Sequence, residues 1–406
     1  MSLIRLAEAR SFVLDGCTMA ASRPVGLAEA LGCVTSRKVV APEPVPPFAN
    51  TAMDGYAVRA ADTTKGEPTR LRIAGSLAAG AAGDIGVGPG EAIRIMTGAP
   101  VPEGSDAVVM VEHASLQEGG AFVAVEAVSP GENLRYAGED IEAGQEVFPE
   151  RTVLGPGHLG VLASLGCERV ETFGRLRVGV LSTGDELVQG DGALRRGQIR
   201  DANRPALLGL LRQAGMEGVD LGIARDTEEE ITTAVEGGLD DCDAILTSGG
   251  VSVGDFDYVK TVLDRLTRGG MRWMQVAVRP AKPLAFGTVA GKPVFGLPGN
   301  PVSSMVSFEL FARPALRKMM GFSELQRPRV EAVADEPLMR HRDGKTHFVR
   351  VIAAADASGR HRVRLSGGQA SHMLWAMALA NGLAELADGD GVQAGNTVPT
   401  LLLDRG

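Results

Sequence analysis

The stretch SGGVSVGDFDY, residues 248–258, decides how the chain folds, because it joins a predicted strand to a predicted helix. An apolar run, residues 244–246, ends just before it. After it, apolar residues at 259, 262, 263 and 266 recur at the spacing of one helix face. The stretch contains three glycines, two serines and two aspartates, a composition typical of a loop. This order indicates an α/β sheet with a ligand at its edge.

The same alternation extends over residues 175–322. The predicted strands cover residues 178–181, 219–223, 244–247, 272–278, 284–289 and 293–297. Predicted helices begin at Asn203, at Thr227, after the quoted loop and at Pro301, and Pro314 is expected to interrupt the last of them. Thr227 and Glu230 have the spacing of a capping box. Strands that alternate with helices predict a doubly wound, mostly parallel sheet.

The regions on either side show other patterns. Residues 1–40 have helical spacing, including 27–31, and are followed by the proline-rich linker APEPVPPF, residues 41–48. Short apolar segments between glycines predict a small β domain with hairpins over 46–130. Helical and turn signals return over 131–174, with a short helix in PGHLGVLASLG. Over 323–406 the helices stop, and short strands with polar turns predict a β-barrel.

Composition restricts the function. The chain has 406 residues, 44% of them hydrophobic and 4% aromatic, and a net charge of −9. This charge argues against nucleic-acid binding, which requires a basic surface. The four cysteines, at 17, 33, 167 and 242, form no metal-binding pattern, which favours free thiols in a reducing cytoplasm. Since we find no signal peptide and no apolar window of about 18 residues, we expect a cytoplasmic protein without membrane contact.

Three glycine-rich loops follow predicted strands: STGDEL (182–187), the quoted loop, and GLPGNPVSS (296–304). In a parallel sheet all three lie at the carboxyl edge, where ligands bind. The glycines and serines of the quoted loop favour an anion, whereas Asp255 and Asp257 favour a divalent cation such as Mg²⁺ beside a phosphate. The alternative is that Asp255 only caps the next helix. The loops match neither a P-loop nor a dinucleotide-binding motif.

Further charged and polar residues lie near these loops. Asn300 is predicted to cap a helix that begins at Pro301, and Ser303 then lies at an anion-binding helix N-terminus; an ordinary capped helix is the alternative. In RPAKP, residues 279–283, prolines fix two cations that suit an oxyanion or polyphosphate, although a solvated charge pair is also open. Asp54 in MDGYAV is either a turn former or a functional acid.

Ordered segments of the chain resemble the MoeA family of molybdopterin molybdenumtransferases, which is related to the gephyrin E domain. The segments are PPFANTAMDGYAV, RIMTGA, RYAGEDI, STGDEL, SGGVSVGDFDYVK, RPAKPLAFG and GLPGNPVSS. They extend over essentially the whole chain. The resemblance implies a discontinuous dimerisation region (1–45 and 131–174), an inserted small β domain (46–130), a MogA-like α/β domain (175–322) and a C-terminal β-barrel (323–406).

The resemblance also implies a reaction. Molybdate is inserted into the dithiolene of adenylylated molybdopterin, AMP leaves, and Mg²⁺ assists. The family further implies a homodimer, with a molybdopterin adenylyltransferase or downstream molybdoenzyme chaperones as partners. It leaves open whether molybdate or tungstate is preferred and how many metal ions take part.

Carried onto this chain, the resemblance implies a set of functional residues. The catalytic positions are Asp54, Thr97, Asp140, Glu186, Asp226, Asp257 and Lys282. The cofactor-binding positions, which include the residues of the glycine-rich loops, are Ser248, Gly249, Gly250, Ser252, Gly254, Arg279, Pro298, Gly299, Asn300, Pro301, Ser303, Arg350 and Ser371. The metal ligands are Glu186, Asp255 and Asp257. For Arg350, the alternative is that it only pairs with an acid of its own barrel.

The chain departs from the family's usual pattern at two positions, and two other functions are alternatives to the transferase. Ala281 and Ala370 stand where the family usually has glycine. A scaffold that binds peptides, as gephyrin-type E domains do, is one alternative function. A MogA-like or CinA-like enzyme acting on another nucleotide pyrophosphate is the second. The intact segments MDGYAV and GLPGNPVS favour the transferase.

Overall fold

The computed structural model describes residues 3–82, 84–251 and 258–403. Contacts divide the chain into two units. The first unit comprises Met1–Val25, Gly32–Ser36 and Glu171–Gly406, and contains an α/β sheet and a barrel. The second comprises Gly26–Leu31 and Arg37–Val170, and contains a small sheet. No helix in the described ranges is both long and apolar enough to cross a bilayer.

The central sheet of the first unit has six strands. In spatial order they are Glu217–Ala224, Arg177–Thr183, Ala244–Ser248, Lys292–Leu297, Pro283–Val289 and Arg272–Gln275. The first four are parallel, and Pro283–Val289 is antiparallel to both of its neighbours. The predicted mostly parallel sheet is confirmed.

Helices cover both faces of this sheet. They are Leu6–Asp15, Asn203–Gln213, Glu228–Asp241, Tyr258–Leu266, Pro301–Ser307 and Arg313–Met319. The neighbouring residues Ile245 and Leu246 of one strand belong to different hydrophobic cores, because successive side chains of a strand point to opposite faces. Asn203–Gln213 packs into the core of Leu246, and Glu228–Asp241 into that of Ile245. This arrangement is the doubly wound fold.

The helix cap at Thr227 differs in one detail from the predicted capping box. The Thr227 hydroxyl accepts from the Glu230 N–H at 3.3 Å, as expected. The Glu230 carboxylate, however, accepts from the N–H of Arg225 at 2.9 Å instead of that of Thr227, whose N–H donates to the Arg225 carbonyl. The second hydrogen bond of the predicted capping box is therefore made with Arg225, two residues before Thr227.

Pro314 does not end the last helix of the sheet, and the predicted interruption is a π-helical turn just before it. Pro301–Ser307 passes through a π-helical turn, Phe308–Ala312, into Arg313–Met319. A proline inside a helix cannot donate to the carbonyl four residues before it, here that of Leu310. The guanidinium Nε of Arg10 donates to this carbonyl instead, at 3.4 Å.

The barrel follows the sheet in the same unit. Its strands are Arg329–Ala334, Thr346–Ala355, His361–Leu365, Gly382–Leu386 and Thr397–Leu402, accompanied by the short pair Leu338–Met339 and Gly391–Val392. Thr346–Ala355 pairs with both His361–Leu365 and Gly382–Leu386, which closes the barrel. The expectation that helices stop before this region is wrong, because Leu374–Leu379 is helical.

The second unit contains a six-stranded sheet. In spatial order its strands are Ala107–Met110, Gly55–Val58, Glu91–Ile95, Thr69–Leu77, Phe122–Val125 and Ala114–Gln117. Thr69–Leu77 and Glu91–Ile95 are parallel, so the predicted hairpins describe only part of it. Its other elements are Val39–Val40, Asn50–Thr51, Leu134–Arg135, Glu146–Phe148, the helix Pro156–Ser164 and the 3-10 turns Ala60–Asp62, Val111–His113 and Glu118–Gly120.

The helical spacing at residues 27–31 does not form a helix. The N–H groups of Glu29 and Ala30 donate to the carbonyls of Gly26 and Leu27, which closes turns. Gly32 follows with a φ of +77°, a conformation that ends the segment. Five residues bounded by glycines are too few to offset the cost of helix nucleation. The remaining short strands of the chain are Arg23–Gly26, Arg169–Thr172, Leu187–Val188, Ile199–Arg200 and Val278–Arg279.

Candidate functional site

A cleft of about 390 Å³ lies at the carboxyl edge of the central sheet. It is lined by residues of all three glycine-rich loops. The predicted site residues that line it are Glu186, Asp226, Ser248, Gly249, Gly250, Pro298, Gly299 and Asn300. Ser252, Gly254, Asp255 and Asp257 lie outside the described residues.

Two glycines of the quoted loop are required by its backbone. Gly249 and Gly250 have φ values of +105° and +67°, in the left-handed region that favours glycine. A Cβ at Gly249 would lie 2.9 Å from the carbonyl oxygen of Thr183, and one at Gly250 would overlap the side chain of Val259. The N–H of Gly249 donates to the Leu297 carbonyl at 3.1 Å. Gly249 thus allows close approach of two strand ends, and the idea that its N–H faces an anion is wrong.

Two acidic residues beside this cleft, Asp185 and Glu186, influence the carboxyl group of Asp226. Burial raises the pKa of Asp226, and the charges of Asp185 and Glu186 raise it further. The backbone N–H of Asp226 donates to Asp185 Oδ1 at 3.2 Å, which holds the two turns together. Within residues 3–82, 84–251 and 258–403, no three His, Cys, Asp or Glu side chains are grouped as a metal site. The cluster is nevertheless one of hard oxygen donors whose mutual repulsion a cation would relieve.

The helix that begins at Pro301 offers fewer free donors than predicted. Asn300 occupies the N-cap position, but its side chain makes no capping hydrogen bond, which corrects the predicted role. The N–H of Val302 donates to the backbone carbonyl of Ser371 at 3.2 Å, and that of Ser304 to the Asn300 carbonyl. Since proline has no N–H, only Ser303 in this first turn keeps a donor that is not used in these bonds. Its side chain is buried.

The RPAKP segment forms a constrained turn at the same edge. The Arg279–Pro280 peptide bond is cis, and Ala281 has a φ of +75° although it is not glycine. Alanine therefore adopts a backbone conformation that favours glycine, at a position where the resemblance implies glycine. Arg279 and Lys282 are exposed. Arg279 Nη1 lies 3.5 Å from His341 Nε2.

A second cavity, of about 320 Å³, lies where this turn meets the barrel. The strand Val278–Arg279 pairs with Thr346–Ala355, with Arg279 opposite His347. This pairing places Arg279 and Arg350 in the lining of one cavity. The cationic or polar residues that line it are Arg279, Arg340, His341, His347, Arg350 and Gln369.

Arg350 is the largest fully buried side chain described, with 1% of its surface exposed. Its Nη2 donates to the carbonyls of Gly368 and Ala370 at 2.8 and 3.1 Å, and its Nε has no partner within the described ranges. Burial lowers its pKa to about 10. The alternative that Arg350 pairs with an acid of its own barrel is wrong for the described residues. Arg340, by contrast, contacts Asp343 and Asp388.

The predicted residues of the second unit form a separate arrangement. Asp54 Oδ1 accepts from both the N–H and the hydroxyl of Thr97, each at 2.7 Å. The Asp54 carboxylate therefore bonds across the sheet, beyond its own turn. Asp140 is exposed, and its N–H donates to the Val45 carbonyl at 3.0 Å.

Asn203, which sequence reasoning did not select, also lines the sheet-edge cleft. It is the first residue of the helix Asn203–Gln213, and its amide bonds to both Ser248 and Gly299. A helix start after a predicted strand was the only signal in the sequence, and that signal did not distinguish Asn203 from an ordinary cap.

Family models match most of the chain. Residues 4–166 match the MoeA N-terminal region, domains I and II. Residues 179–318 match a probable molybdopterin binding domain, and residues 332–403 match the MoeA C-terminal region, domain IV.

Individual relatives agree with these models. The chain is 36% identical over 398 residues to a molybdopterin molybdenumtransferase of Haemophilus influenzae, covering 98% of each chain. It is 41% identical over 381 residues to molybdopterin molybdenumtransferase 2 of Mycobacterium tuberculosis, covering 91% of this chain and 92% of the relative. A crystal structure of a MoeA protein from Pyrococcus horikoshii matches with a TM-score of 0.82 and 28% identity over 100% of both chains. With three family models in order and relatives matched over nearly their full length, the chain belongs to the MoeA family.

Proposed function

We propose that this protein is a molybdopterin molybdenumtransferase. It inserts molybdate into the dithiolene of adenylylated molybdopterin and releases AMP. The observation that carries the proposal is Arg350, which is buried without a carboxylate partner among the described residues, in a cavity that Arg279 also lines. A cation held by carbonyl groups alone is costly in a protein interior, and an anionic substrate supplies the missing counter-charge.

Molybdate fits the chemistry of this barrel cavity. It is a tetrahedral dianion, which needs several fixed donors and net positive charge. Arg350 and Arg279 offer guanidinium forks, and Lys282 lies in the same RPAKP turn. Ser303 and Ser371 come together through the bond from Val302 to the Ser371 carbonyl. We assign these five residues to molybdate.

The sheet-edge cleft fits the pterin nucleotide. Ser248 supplies a hydroxyl, and the close-packed glycine turns leave room for a phosphate at the strand ends. Pro298, Gly299, Asn300 and Pro301 form the opposite loop. In this assignment, the nucleotide cleft and the molybdate cavity are adjacent to the same turn, RPAKP: Pro283 lines the first and Arg279 the second.

Mg²⁺ is proposed at the acidic side of the cleft. The raised pKa of Asp226 reflects burial and the nearby charges of Asp185 and Glu186, and a divalent cation offsets such repulsion. Glu186 and Asp226 would hold it, together with Asp255 and Asp257 from the quoted loop. When bound, Mg²⁺ neutralises charge on the phosphates of the substrate. Asp54 and Thr97 are assigned to the same reaction, with Asp54 ionised.

We also propose a homodimer. Asp54, Thr97 and Asp140 belong to the second unit, whereas every lining residue of the cleft belongs to the first. If two chains share sites, mixing an Asp54→Ala chain with a Lys282→Ala chain restores part of the activity that each lacks alone. Sedimentation of the wild-type protein as a monomer contradicts the dimer, whereas no recovery on mixing would place each complete site within one chain.

The cellular setting follows from the proposed reaction. All four cysteines are free thiols, which suits a reducing cytoplasm. A molybdopterin adenylyltransferase would supply the substrate, and molybdoenzyme chaperones would receive the product. Neither nucleic acid nor membrane is required.

The decisive experiment incubates the protein with adenylylated molybdopterin, Mg²⁺ and molybdate and measures AMP. We expect AMP release that depends on molybdate, lost in Lys282→Ala and kept in Lys65→Ala, an exposed lysine of the second unit. Absence of AMP release by the wild-type protein would exclude the transferase. It would favour the scaffold or an enzyme that acts on another nucleotide pyrophosphate.

A further inference from the structure

Asn203 holds two loops of the sheet-edge cleft together. Its Nδ2 donates to the hydroxyl of Ser248 and to the carbonyl of Gly299, both at 2.6 Å. Ser248 ends the strand Ala244–Ser248, and Gly299 follows the neighbouring strand Lys292–Leu297. One amide nitrogen has two hydrogens, so it can serve both loops at once.

The loops that Asn203 joins are in close contact. A Cβ added to Gly299 would lie 3.8 Å from Gly249 Cα. Ser248 is 2% exposed, and its hydroxyl is held by the Asn203 amide. The separation of the two loops thus depends on a hydrogen-bonded link as well as on the sheet. A phosphate bound between strand ends is sensitive to this separation, because its donors must lie within about 3 Å of its oxygens.

Asn203 is itself held rigidly by the residues around it. Asp201 Oδ1 accepts from the backbone N–H groups of Asn203 and Arg204, at 3.1 and 3.2 Å. Asp201 Oδ2 accepts from Arg204 Nε at 2.9 Å. Arg204, which is 3% exposed, also contacts Asp220 and donates to Gln189 at 2.9 Å. This network, which is buried at Asp201 and Arg204, fixes the start of the helix, and therefore the position from which the amide reaches the loops.

The bonding of the amide is incomplete in a way that stability alone does not explain. Asn203 Oδ1 is buried and has no hydrogen-bond partner in the part of the chain that the structure describes. An unsatisfied buried acceptor destabilises the folded state. Serine would be too short to reach both loops, and an aspartate carboxylate has no donor for the Gly299 carbonyl. The position of Asn203 therefore joins the Ser248 and Gly299 loops at the expense of a hydrogen bond to its own Oδ1.

We infer that Asn203 is a positioning residue of the nucleotide cleft, where it sets the spacing of the Ser248 and Gly299 loops for the phosphate of the substrate. This inference rests on the proposed transferase function. Asn203 acts through Ser248 and Gly299, and the reacting groups belong to other residues.

The test compares Asn203→Ala with Asn381→Ala. Asn381 makes two hydrogen bonds to the backbone of Ala353 in the barrel, so both variants lose two side-chain bonds. AMP is the probe, and its dissociation constant is measured by calorimetry beside the thermal midpoint of each variant. We expect Asn203→Ala to bind AMP about tenfold more weakly, while Asn381→Ala loses thermal stability and keeps wild-type affinity.

A double-mutant cycle shows whether Asn203 acts through Ser248. In a Ser248→Ala background, the Asn203→Ala substitution should weaken AMP binding less than it does in the wild-type background. In turnover, the KM for adenylylated molybdopterin should rise more than kcat falls. An AMP affinity equal to that of the wild-type protein, or an equal loss in both Asn→Ala variants, would overturn the inference.

These outcomes are separable from failure of the proposed function. If the wild-type protein neither binds AMP nor releases it from adenylylated molybdopterin, the transferase proposal fails and the inference falls with it. If the wild-type protein does both and Asn203→Ala is indistinguishable from it, only the inference fails.

Discussion

Asp54 and Thr97 are joined by two hydrogen bonds to a single carboxylate oxygen, one from the backbone N–H of Thr97 and one from its hydroxyl. Thr97 follows the strand Glu91–Ile95, and Asp54 precedes Gly55–Val58, its antiparallel neighbour. The hydrogen bond from the Thr97 N–H lowers the pKa of Asp54 most, and the bond from the Thr97 hydroxyl lowers it further. The charge of Arg94 makes a smaller contribution. The carboxylate is thus held ionised and in one orientation.

Thr97→Val removes the hydroxyl bond and keeps the backbone bond. The pKa of Asp54 should then rise toward its ordinary value, because one donor to the charged form is lost. If ionised Asp54 takes part in the reaction, activity is lost as the pH falls through this pKa. The acid limb of the rate of AMP release should therefore move to higher pH. Thr152→Val, which removes an exposed hydroxyl in the same unit, should leave the profile unchanged; identical profiles for the two variants would contradict the role of Asp54.

Asp226→Asn should stabilise the metal-free protein at neutral pH. A carboxyl whose pKa is raised in the folded state contributes less stability as the pH rises through that pKa. Asparagine removes the charge, so the increase in thermal midpoint should be larger at pH 7.5 than at pH 4.5. Asp356→Asn is the matched control with the opposite sign, since hydrogen bonds from Ser358 and Arg360 lower the pKa of Asp356. Calorimetry in chelator measures both; a midpoint of Asp226→Asn that falls at pH 7.5 would contradict the prediction.

Adding Mg²⁺ should reverse the ranking. The wild-type protein gains stability from the bound ion, and Asp226→Asn gains less because it has lost a ligand. Equal gains in both proteins would place the metal away from Asp226.

Ala281→Gly should cost unusually little stability. Relief of the left-handed conformation contributes about 1–2 kcal/mol, which offsets the loss of one buried methyl group, about 0.8 kcal/mol, and the added freedom of glycine, about 0.5–1 kcal/mol. Ala285→Gly removes an equally buried methyl from the strand Pro283–Val289 without such relief, and should cost roughly 1.5 kcal/mol. Thermal midpoints measure the difference. Equal losses at the two positions would show that Ala281 carries no strain.

The fold could be predicted where local patterns agree with the sheet. The alternation at Ile245 and Leu246 and the three loops at strand ends both follow from spacing along the chain. The π-helical turn could not, because the donor that replaces the missing N–H of Pro314 comes from Arg10, 300 positions before the Leu310 carbonyl that accepts the bond. The helical spacing at residues 27–31 was misleading for a different reason, since a pattern over five residues is too short to predict a helix.

The candidate site likewise contains residues that the sequence could predict and residues that it could not. Loop residues such as Ser248 and Gly299 could be found by composition, whereas the amide that joins them comes from the start of a helix some 45 positions before Ser248. Sequence also left open whether Arg350 pairs with an acid of its own barrel. In the fold Asp343 pairs with Arg340 and Lys345, and Arg350 donates its hydrogen bonds to backbone carbonyl groups instead. Which of several nearby cations pairs with a given carboxylate depends on packing, and the spacing of these residues along the chain does not predict it.

Arg350→Met tests the molybdate assignment through two independent measurements. Methionine fills much of the same volume without a charge, and the charge it removes has no carboxylate partner among the described residues. The thermal midpoint without ligands should therefore stay equal to that of the wild-type protein or rise. Arg340→Met is the matched control: it leaves Asp388 without its guanidinium and Asp343 to Lys345 and His347, so its midpoint should fall below that of the wild-type protein. In turnover, Arg350→Met should need about tenfold to a hundredfold more molybdate for half-maximal AMP release, because the loss of one charged hydrogen bond costs about 1.5–3 kcal/mol of binding free energy. Excess molybdate should restore much of the rate. A variant that is destabilised like Arg340→Met and unchanged in its molybdate dependence would make Arg350 a structural residue of the barrel and leave Arg279, Lys282 and Ser303 to bind the oxyanion.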